Sequence, residues 1–329
     1  MNPNSFSDVT NALTEHSRVV LSSHARPDGD SIGSQLALSH TLRTLGKTVH
    51  IVNHDQPPPY LSSLPGISTI EIADTVKHDY DAAIILECGT LSRTEVNGLD
   101  RGTVINIDHH AGNSMYGHYN WHDDTAAACT EQIHDLIKEL DVPLTPEIAI
   151  SLYVGILTDT GSFQHANITP RTFDICRRIA AAGVKVAEVA ATVYQNSSIG
   201  KIRITGALLD QMQLCYDDRI AILRVDESLL KRTHCLPNDM EGVINMPLSA
   251  KSVQAVIMFR TETSGIRVSM RSKNNVDVRQ IAVSYGGGGH RNAAGFSTDA
   301  AQPELESKLL TQVKKALDSP TNLNSNPTV

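Results

Sequence analysis

Short runs rich in Val and Ile alternate with helix-like segments through the first half of the chain, and this alternation most constrains the fold. The expected strands are residues 18–23, 48–52, 82–86 and 103–107. The expected helices, which show apolar residues at helical spacing, are residues 31–45, 125–140 and 146–157. Strands that alternate with helices in this way predict a parallel, doubly wound α/β sheet.

The second half of the chain predicts a separate, smaller α/β unit. Strands are expected at residues 219–225, 252–260 and 265–271, and a last helix near 303–317. A helical stretch from about residue 169 to residue 215 is expected to join the two halves. Because 329 residues exceed what one hydrophobic core usually holds, two domains are expected. The predicted boundaries are 1–190 for the first domain, 191–216 for a helical linker, 217–320 for the second domain and 321–329 for a disordered tail.

Apolar segments and cysteines exclude two classes of protein. No stretch approaches the roughly 20 apolar residues that a membrane-spanning helix needs. The N-terminal residues lack the basic and apolar regions of a secretory signal. The 5 cysteines are scattered, odd in number and without C-x-x-C spacing, which is typical of reduced thiols. We therefore expect a cytoplasmic protein with no membrane anchor.

The charge of the chain is unevenly distributed. The formal net charge is −8, which argues against a protein that coats long nucleic acids by charge alone. Residues 251–295 nevertheless contain seven Lys or Arg against two acidic residues. This asymmetry favours cation binding in the acidic part of the chain and anion binding in the basic part.

Acidic and histidine side chains follow the predicted strands, where open α/β sheets bind their ligands. These residues are His24, Asp28, Asp30, Glu87, Asp108, His109, His110 and, after a predicted helix, Asp159. Carboxylates that converge at one sheet edge repel each other unless cations neutralise them. A mixed carboxylate and imidazole set suits Mn²⁺, Fe²⁺, Co²⁺ or Zn²⁺ better than the all-oxygen shell of Ca²⁺.

Each of these residues alone has an ordinary structural explanation. Asp28 and Asp30 suit a turn and a helix N-cap, Glu87 an exposed acid, and Asp159 a turn at a helix end. The adjacent pair of histidines at a strand end is harder to explain by packing. Together the segments predict a metal site, and two metal ions close together are a known device for phosphoryl transfer.

Two motifs resemble a known superfamily. The Asp108-His109-His110 sequence, with the segment 24–34 upstream, resembles the DHH phosphoesterase superfamily, and Gly286 to His290 resembles the GGGGH signature of its DHHA1 domain. In length and layout the chain is most similar to the bifunctional oligoribonuclease and adenosine 3′,5′-bisphosphate (pAp) phosphatases of the nanoRNase type. The resemblance implies an active site in the cleft between a DHH domain and a smaller DHHA1 domain.

The resemblance also implies a set of metal ligands. They are His24 and Asp28 for one ion, Asp30, His109 and Asp159 for the other, and Glu87 as the bridge between the ions. The superfamily usually has Asp at the position of Glu87. Because Glu is one methylene longer, the bridging geometry or the metal preference is expected to differ here.

The implied catalytic residues are His110, which would face the substrate phosphate, Asp108, which would orient a histidine, and the metal ligand Asp30. The implied substrate contacts are Arg271, Ser272, Gly287, Gly288, Gly289, His290 and Arg291. Glycines let backbone N–H groups approach an anion closely, and Arg271 is suited to clamp a phosphate.

The function that this resemblance implies is hydrolysis of short RNA or DNA oligonucleotides by a 3′–5′ exonuclease with two divalent ions. Mn²⁺ is expected first, with Co²⁺ or Mg²⁺ next, and small nucleotides such as pAp are expected as further substrates. Short substrates also fit an acidic chain, since few phosphates are contacted. The alternatives are hydrolysis of linear or cyclic dinucleotides, a manganese pyrophosphatase, whose second domain lacks GGGGH, and a non-catalytic nucleic-acid-binding module. A homodimer is also left open.

Overall fold

The computed structural model describes residues 5–240, 242–262, 265–273, 276–300 and 302–318. The described residues form two compact units, which divide between Asn196 and Ser197. The division between them falls inside the segment 191–216 that we predicted as a linker. The predicted tail, 321–329, lies outside the described residues.

The first unit is built on a six-stranded sheet. Its strands are β1 (Arg18–Ser22), β2 (Thr48–Asn53), β3 (Ile70–Ile72), β4 (Ala82–Leu86), β5 (Thr103–Asp108) and β6 (Tyr119–His122). The strand order is β3-β2-β1-β4-β5-β6, and every neighbouring pair is parallel. In this order, which is that of doubly wound sheets, the chain reverses its direction of travel between β1 and β4. The predicted α/β class is therefore confirmed.

Helices and loops cover the two faces of this sheet. The helices are α1 (Phe6–Glu15), α2 (Gly29–Thr44), α3 (Cys129–Glu139), α4 (Pro146–Asp159), α5 (Pro170–Ala181) and α6 (Val186–Tyr194). Leu21 and Ile84 pack with the helices on one face, while Val20 and Ile85 pack with loop segments on the other. Because both faces are buried, β1 and β4 read as nearly continuous apolar runs, as is usual for parallel strands.

Helices α2 and α4 approach each other closely through glycine. A Cβ atom added to Gly33 would lie 2.5 Å from the backbone oxygen of Ser151 in α4. A Cβ atom on Gly155 would lie 2.6 Å from Oδ1 of Asp30 in α2. The lack of side chains at these two positions therefore lets the start of α2 and the end of α4 reach the same edge of the sheet.

The second unit is built on a mixed sheet of order β11-β12-β10-β9-β8-β7. Its strands are β7 (Gln213–Cys215), β8 (Ile220–Val225), β9 (Ala255–Glu262), β10 (Gly265–Ser272), β11 (Gly288–His290) and β12 (Ala293–Thr298). Its helices are α7 (Ile199–Asp210), α8 (Glu227–Thr233), α9 (Val278–Ser284) and α10 (Gln302–Asp318). Strands β8 and β9 are parallel and the other neighbours are antiparallel. Apolar side chains are buried on both faces of this sheet.

The predicted helical stretch from residue 169 to residue 215 is wrong in two respects. Three separate helices, α5 to α7, occupy it, and one break falls at Gly183, whose φ of +89° suits glycine. Its last residues form β7 instead, because Leu214 pairs with Ala221 of β8. The edge strands β3 and β6 were not predicted, since three or four residues carry little periodicity. Among the described residues, no helix has the length and apolar character required to cross a bilayer.

Candidate metal centre

The predicted donor residues meet where the strand order of the first sheet reverses. Strand β1 leads to His24, β4 to Glu87, and β5 ends at Asp108. Helix α2 begins at this edge, and α4 ends there with Asp159. The carboxyl ends of parallel strands share one edge, so residues far apart in sequence come together at the ligand-binding position of such sheets.

One group of donors consists of His24, Asp28 and Glu87, whose ligand atoms lie within 4.8 Å of one another. Nε2 of His24 lies 2.8 Å from Oε2 of Glu87 and 3.9 Å from Oδ2 of Asp28. Asp28 is also the N-cap of α2, and its Oδ1 accepts the N–H groups of Asp30 and Ser31. The helix-cap explanation of Asp28 therefore holds for one carboxylate oxygen and leaves the other facing His24.

A second group of donors consists of Asp30, His109 and Asp159. Nε2 of His109 lies 3.7 Å from Oδ2 of Asp30 and 3.8 Å from Oδ2 of Asp159. Asp30 is fully buried, and its carboxylate accepts the backbone N–H groups of Cys129 and Thr130 at the start of α3, at 2.6 and 3.0 Å. These bonds from a helix N-terminus favour the ionised carboxylate and fix its orientation.

Glu87 links the two groups. Its Oε2 faces His24, while its Oε1 lies 4.0 Å from Nε2 of His109 and 3.4 Å from Nε2 of His110. The backbone of Glu87 has a φ of +53°, in the left-handed region that a side chain with Cβ adopts at some cost. Its N–H donates to the carbonyl of Ile107, which holds this turn beside β5. The strained conformation turns the chain at the end of β4 while the side chain stays buried in the cluster.

Burial and mutual repulsion raise the pKa values of several carboxyl groups here. Burial raises the pKa of Glu87 well above its usual range, and the charges of Asp28 and Asp30 raise it further. Burial also raises the pKa of Asp159 to about 6, with the charge of Asp30 adding to the shift. Since a carboxyl group must be ionised to bind a metal, protons compete with cations for this cluster.

The donor chemistry fits divalent cations. Nδ1 of His109 donates to the carbonyl of Ala126, so Nε2 carries the lone pair of the neutral ring. Nε2 is buried and has no hydrogen-bond partner among the described residues. Nδ1 of His24 likewise donates to the carbonyl of Ala25, so its Nε2 lone pair faces the carboxylate of Glu87. Lone pairs that face carboxylate oxygens require a proton or a cation between them. Two donor sets that share one carboxylate are therefore suited to two ions.

His110 projects beside this cluster and is held by Asp108. Oδ1 of Asp108 accepts Nδ1–H of His110 at 2.8 Å, and its Oδ2 accepts the side-chain amide of Asn113 at 2.5 Å. Burial alone would raise the pKa of Asp108, but the hydrogen bonds from His110 and Asn113 outweigh burial and hold this pKa below its usual value. The side chain of His110 is 36% exposed, and its contact with a substrate stays a prediction.

We expect Asp108→Asn to lower the turnover number with a phosphate-ester substrate by about 10- to 100-fold, as for other partners of metal-site histidines. The amide presents either a donor or a weaker acceptor to Nδ1 of His110, so the imidazole loses its orientation and its charge stabilisation. Steady-state kinetics with equal metal loading test this expectation. A variant with full turnover would show that Asp108 does not act through His110.

The glycine run of the second unit has divided roles. A Cβ atom on Gly287 would lie 2.5 Å from Cβ of Phe296, and Gly289 has a φ of +133° and packs directly on Ala294. These two glycines therefore allow β11 to lie close against β12. Among the described residues, no atom lies within 4 Å of a Cβ built on Gly288, so this position is open. The role of the run as an anion cradle stays a prediction.

The other predicted substrate contacts lie around the end of β10. Arg271 is half-buried, donates to the carbonyl of Met270, and has its pKa lowered by that burial. The hydroxyl of Ser272 is buried and donates to the carbonyl of Val276. Arg291 is exposed, and the side chain of His290 lies outside the described part of the chain. Contact of these residues with a substrate stays a prediction.

Sequence reasoning missed the residues that hold the donors in place. Asn113 bridges Asp108 and Asn106, and Thr130 donates both its N–H and its hydroxyl to Asp30. A buried polar residue inside a strand was the available signal for Asn106. The start of α3 carried no comparable signal, because its cap comes from an aspartate 99 residues away along the chain.

Comparison with known proteins identifies the family. Residues 18–156 match the model of the DHH family, N-terminal domain, and residues 219–319 match the model of the DHHA1 domain. The sheet edge with its donor cluster and the second unit thus define a DHH protein with a DHHA1 domain. The bifunctional oligoribonuclease and PAP phosphatase NrnA of Thermus thermophilus is 32% identical over 278 residues, which cover 84% of this chain and 83% of that protein. The chain therefore belongs to the NrnA family of DHH phosphoesterases, and the predicted resemblance is confirmed.

Solved structures share the fold. An exopolyphosphatase-related protein from Bacteroides fragilis superposes with a TM-score of 0.84 at 25% identity and covers 94% of this chain and 95% of its own. The exonuclease RecJ bound to manganese superposes with a TM-score of 0.55 at 15% identity, with 97% of this chain and 96% of that chain covered. The second likeness shows the fold alone.

Proposed function

We propose that the protein hydrolyses the phosphodiester bonds of short oligonucleotides from the 3′ end and also removes phosphate from pAp. The observation that carries the proposal is the buried carboxylate of Glu87, which faces two separate sets of metal donors. The Thermus thermophilus relative is named a bifunctional oligoribonuclease and PAP phosphatase, which supports this choice of substrates.

We assign one donor set to each of two divalent ions. His24, Asp28 and Glu87 would hold one ion, and Asp30, His109 and Asp159 the other. Glu87 would be shared, because its Oε1 lies 4.0 Å from Nε2 of His109. When bound, such a pair of ions would offset the charge of the phosphoryl group. It would also lower the pKa of water, so that hydroxide is available as the nucleophile near neutral pH. We assign Mn²⁺ as the preferred ion, with Co²⁺ or Mg²⁺ as substitutes, because carboxylates outnumber imidazoles in the combined set.

The chain's own contribution to the reaction centres on His110. Asp108 accepts its Nδ1–H, which holds the imidazole ring in a fixed orientation. Nε2 of that imidazole lies 3.4 Å from Oε1 of Glu87 on a partly exposed side chain, and we assign it to donate to an oxygen of the substrate phosphate or to the leaving oxygen. Arg271 and the open backbone at Gly288 are assigned to the nucleotide part of the substrate.

The metal-dependent activity is tested with purified full-length protein on di- to pentanucleotides and on pAp. We expect release of mononucleotides and phosphate with Mn²⁺, complete loss after chelation, and recovery on readdition of Mn²⁺. Elemental analysis is expected to find about two active-site ions per chain. Binding of oligonucleotides without turnover under any of the three metals would favour a non-catalytic binding module. Turnover confined to linear or cyclic dinucleotides would reassign the substrate.

We also place this activity in the cytoplasm. All five cysteines are free, and Cys88 and Cys129 are buried. Free thiols are typical of proteins that work in a reducing compartment.

A further inference from the structure

A further group of histidine and carboxylate side chains lies outside the metal centre described above. It consists of His50 in β2, Glu71 in β3 and His78 in the segment that follows β3. Nδ1 of His50 lies 3.3 Å from Oε1 of Glu71, and Nε2 of His78 lies 2.7 Å from its Oε2. Three donor atoms from three segments of the chain thus converge within 4.8 Å of one another.

The two imidazole rings are stacked on each other. Their centroids are 3.6 Å apart and their planes make an angle of 14°. Both rings lie beside the same carboxylate, that of Glu71. Glu71 supplies the negative charge. Burial alone would raise the pKa of Glu71, but hydrogen bonds from His78 and His50 outweigh burial and lower this pKa below its usual value.

The backbone around these donors is fixed by contacts of its own. Strands β2 and β3 pair in parallel with Val52 opposite Glu71, so His50, two residues before Val52, projects from the same face of the sheet as Glu71. Arg101 donates to the carbonyls of Val76 and His78 at 2.9 and 3.2 Å, which anchors the segment that carries His78. The backbone positions of the three donor residues are therefore fixed before any ion binds.

We propose that His50, Glu71 and His78 form a binding site for a divalent transition-metal ion of the Zn²⁺ type. Two imidazoles and one carboxylate are a known ligand set for Zn²⁺, with a water or another molecule in the fourth position. Bonds of about 2.0–2.2 Å place tetrahedral ligands roughly 3.4 Å apart. Because an imidazole binds an ion in its own ring plane, at least one of the two stacked rings must turn about its side-chain bonds to join the site. Their side chains are 30%, 47% and 31% exposed, so an ion can enter and an outside ligand can join it.

The site differs in chemistry from the centre at the carboxyl ends of the strands. There carboxylates predominate, as Mn²⁺ and Mg²⁺ prefer, whereas here imidazoles outnumber the single carboxylate. We therefore expect Zn²⁺ or Co²⁺ to occupy this edge of the sheet while Mn²⁺ does not. The proposal does not depend on the substrate assigned above.

The test compares zinc content in the wild-type chain and in a His50→Gln/His78→Gln variant. Both proteins are stripped with chelator, dialysed against the same free Zn²⁺ concentration and analysed by inductively coupled plasma mass spectrometry. The variant is expected to bind one ion fewer per chain. With Co²⁺ as the probe, the absorption difference between the two proteins is expected to show the visible bands of a tetrahedral site. A Glu71→Gln variant is expected to bind this ion about tenfold or more weakly.

A His16→Gln/His234→Gln variant serves as the matched control. It removes two histidines that belong neither to the candidate metal centre nor to the group of His50, Glu71 and His78. Circular dichroism confirms that each variant is folded. Equal zinc content in the wild type and the His50→Gln/His78→Gln variant would overturn the proposal. Loss of the same ion in the control would overturn it too, because surface histidines in general would then account for the binding. Any outcome of the oligonucleotide assay leaves this comparison unaffected.

Discussion

Replacing Glu87 with Gln is expected to lower the turnover number with oligonucleotides about a thousandfold. Gln keeps the volume of the side chain, so packing at this fully buried position is retained. What is lost is the one negative charge that both donor sets share, together with a strong acceptor facing His24. Rate measurements at saturating Mn²⁺ separate a loss of turnover from weaker metal binding.

The same substitution is expected to maintain or raise the stability of the metal-free protein, although it lowers turnover. Without metal, Glu87 faces the charges of Asp28, Asp30, Asp159 and Asp108, which together with burial raise its pKa. A neutral amide does not meet this repulsion, so the unfolding temperature of the metal-free variant is expected to equal or exceed that of the wild type. The increase in unfolding temperature on addition of Mn²⁺ is expected to shrink, because fewer charges remain to bind the ions.

Glu95→Gln is the matched control for this experiment. Glu95 also has a left-handed backbone, with a φ of +54°, but its side chain is 54% exposed and lies outside the donor groups. This control is expected to keep full turnover and the full thermal response to Mn²⁺. If Glu87→Gln retained most of its turnover, Glu87 would not join the two donor sets, and a centre with two ions would lose its main support.

Part of the centre follows from the sequence because strand ends are readable. The runs before His24, Glu87 and His109 are apolar and rich in β-branched residues, and the parallel order brings their ends to one edge. The left-handed conformation of Glu87 was not predicted, since it depends on the bond from its N–H to Ile107 of the neighbouring strand. Local sequence carries no record of such a partner.

The fold shows the same limit. The long buried strands and the helices α2 and α3 were predicted from apolar residues at strand or helix spacing, although α2 is buried along most of its length, where it packs on α4. The short edge strand β3 was missed for want of periodicity, and with it the proximity of His50 to Glu71. Pairing across the sheet, rather than any local pattern, brings those two residues together.

Gly33→Ala is expected to reduce the free energy of unfolding of the first unit by about 3 kcal/mol. The added methyl group would lie 2.5 Å from the backbone oxygen of Ser151 and 3.2 Å from the backbone N of Gly155. Both atoms belong to the backbone of α4, so the contact is relieved only by moving the helix. That movement also shifts Asp159 at the end of α4, and Mn²⁺ binding is expected to weaken in parallel.

The measurement uses the fluorescence of Trp121, the single tryptophan of the chain. Trp121 lies in β6, and its ring centroid is 4.6 Å from that of Phe6. Its signal in a urea titration reports on the first unit. Gly206→Ala is the control, because Gly206 lies in α7 with no atom within 4 Å of the added carbon. There alanine is expected to add roughly 0.5–1 kcal/mol to the stability of the second unit and to leave the Trp121 transition unchanged. If the urea unfolding transition of Gly33→Ala coincided with that of the wild type, α2 and α4 would separate with no loss in the free energy of unfolding. The close glycine contact would then not be what positions Asp30 and Asp159.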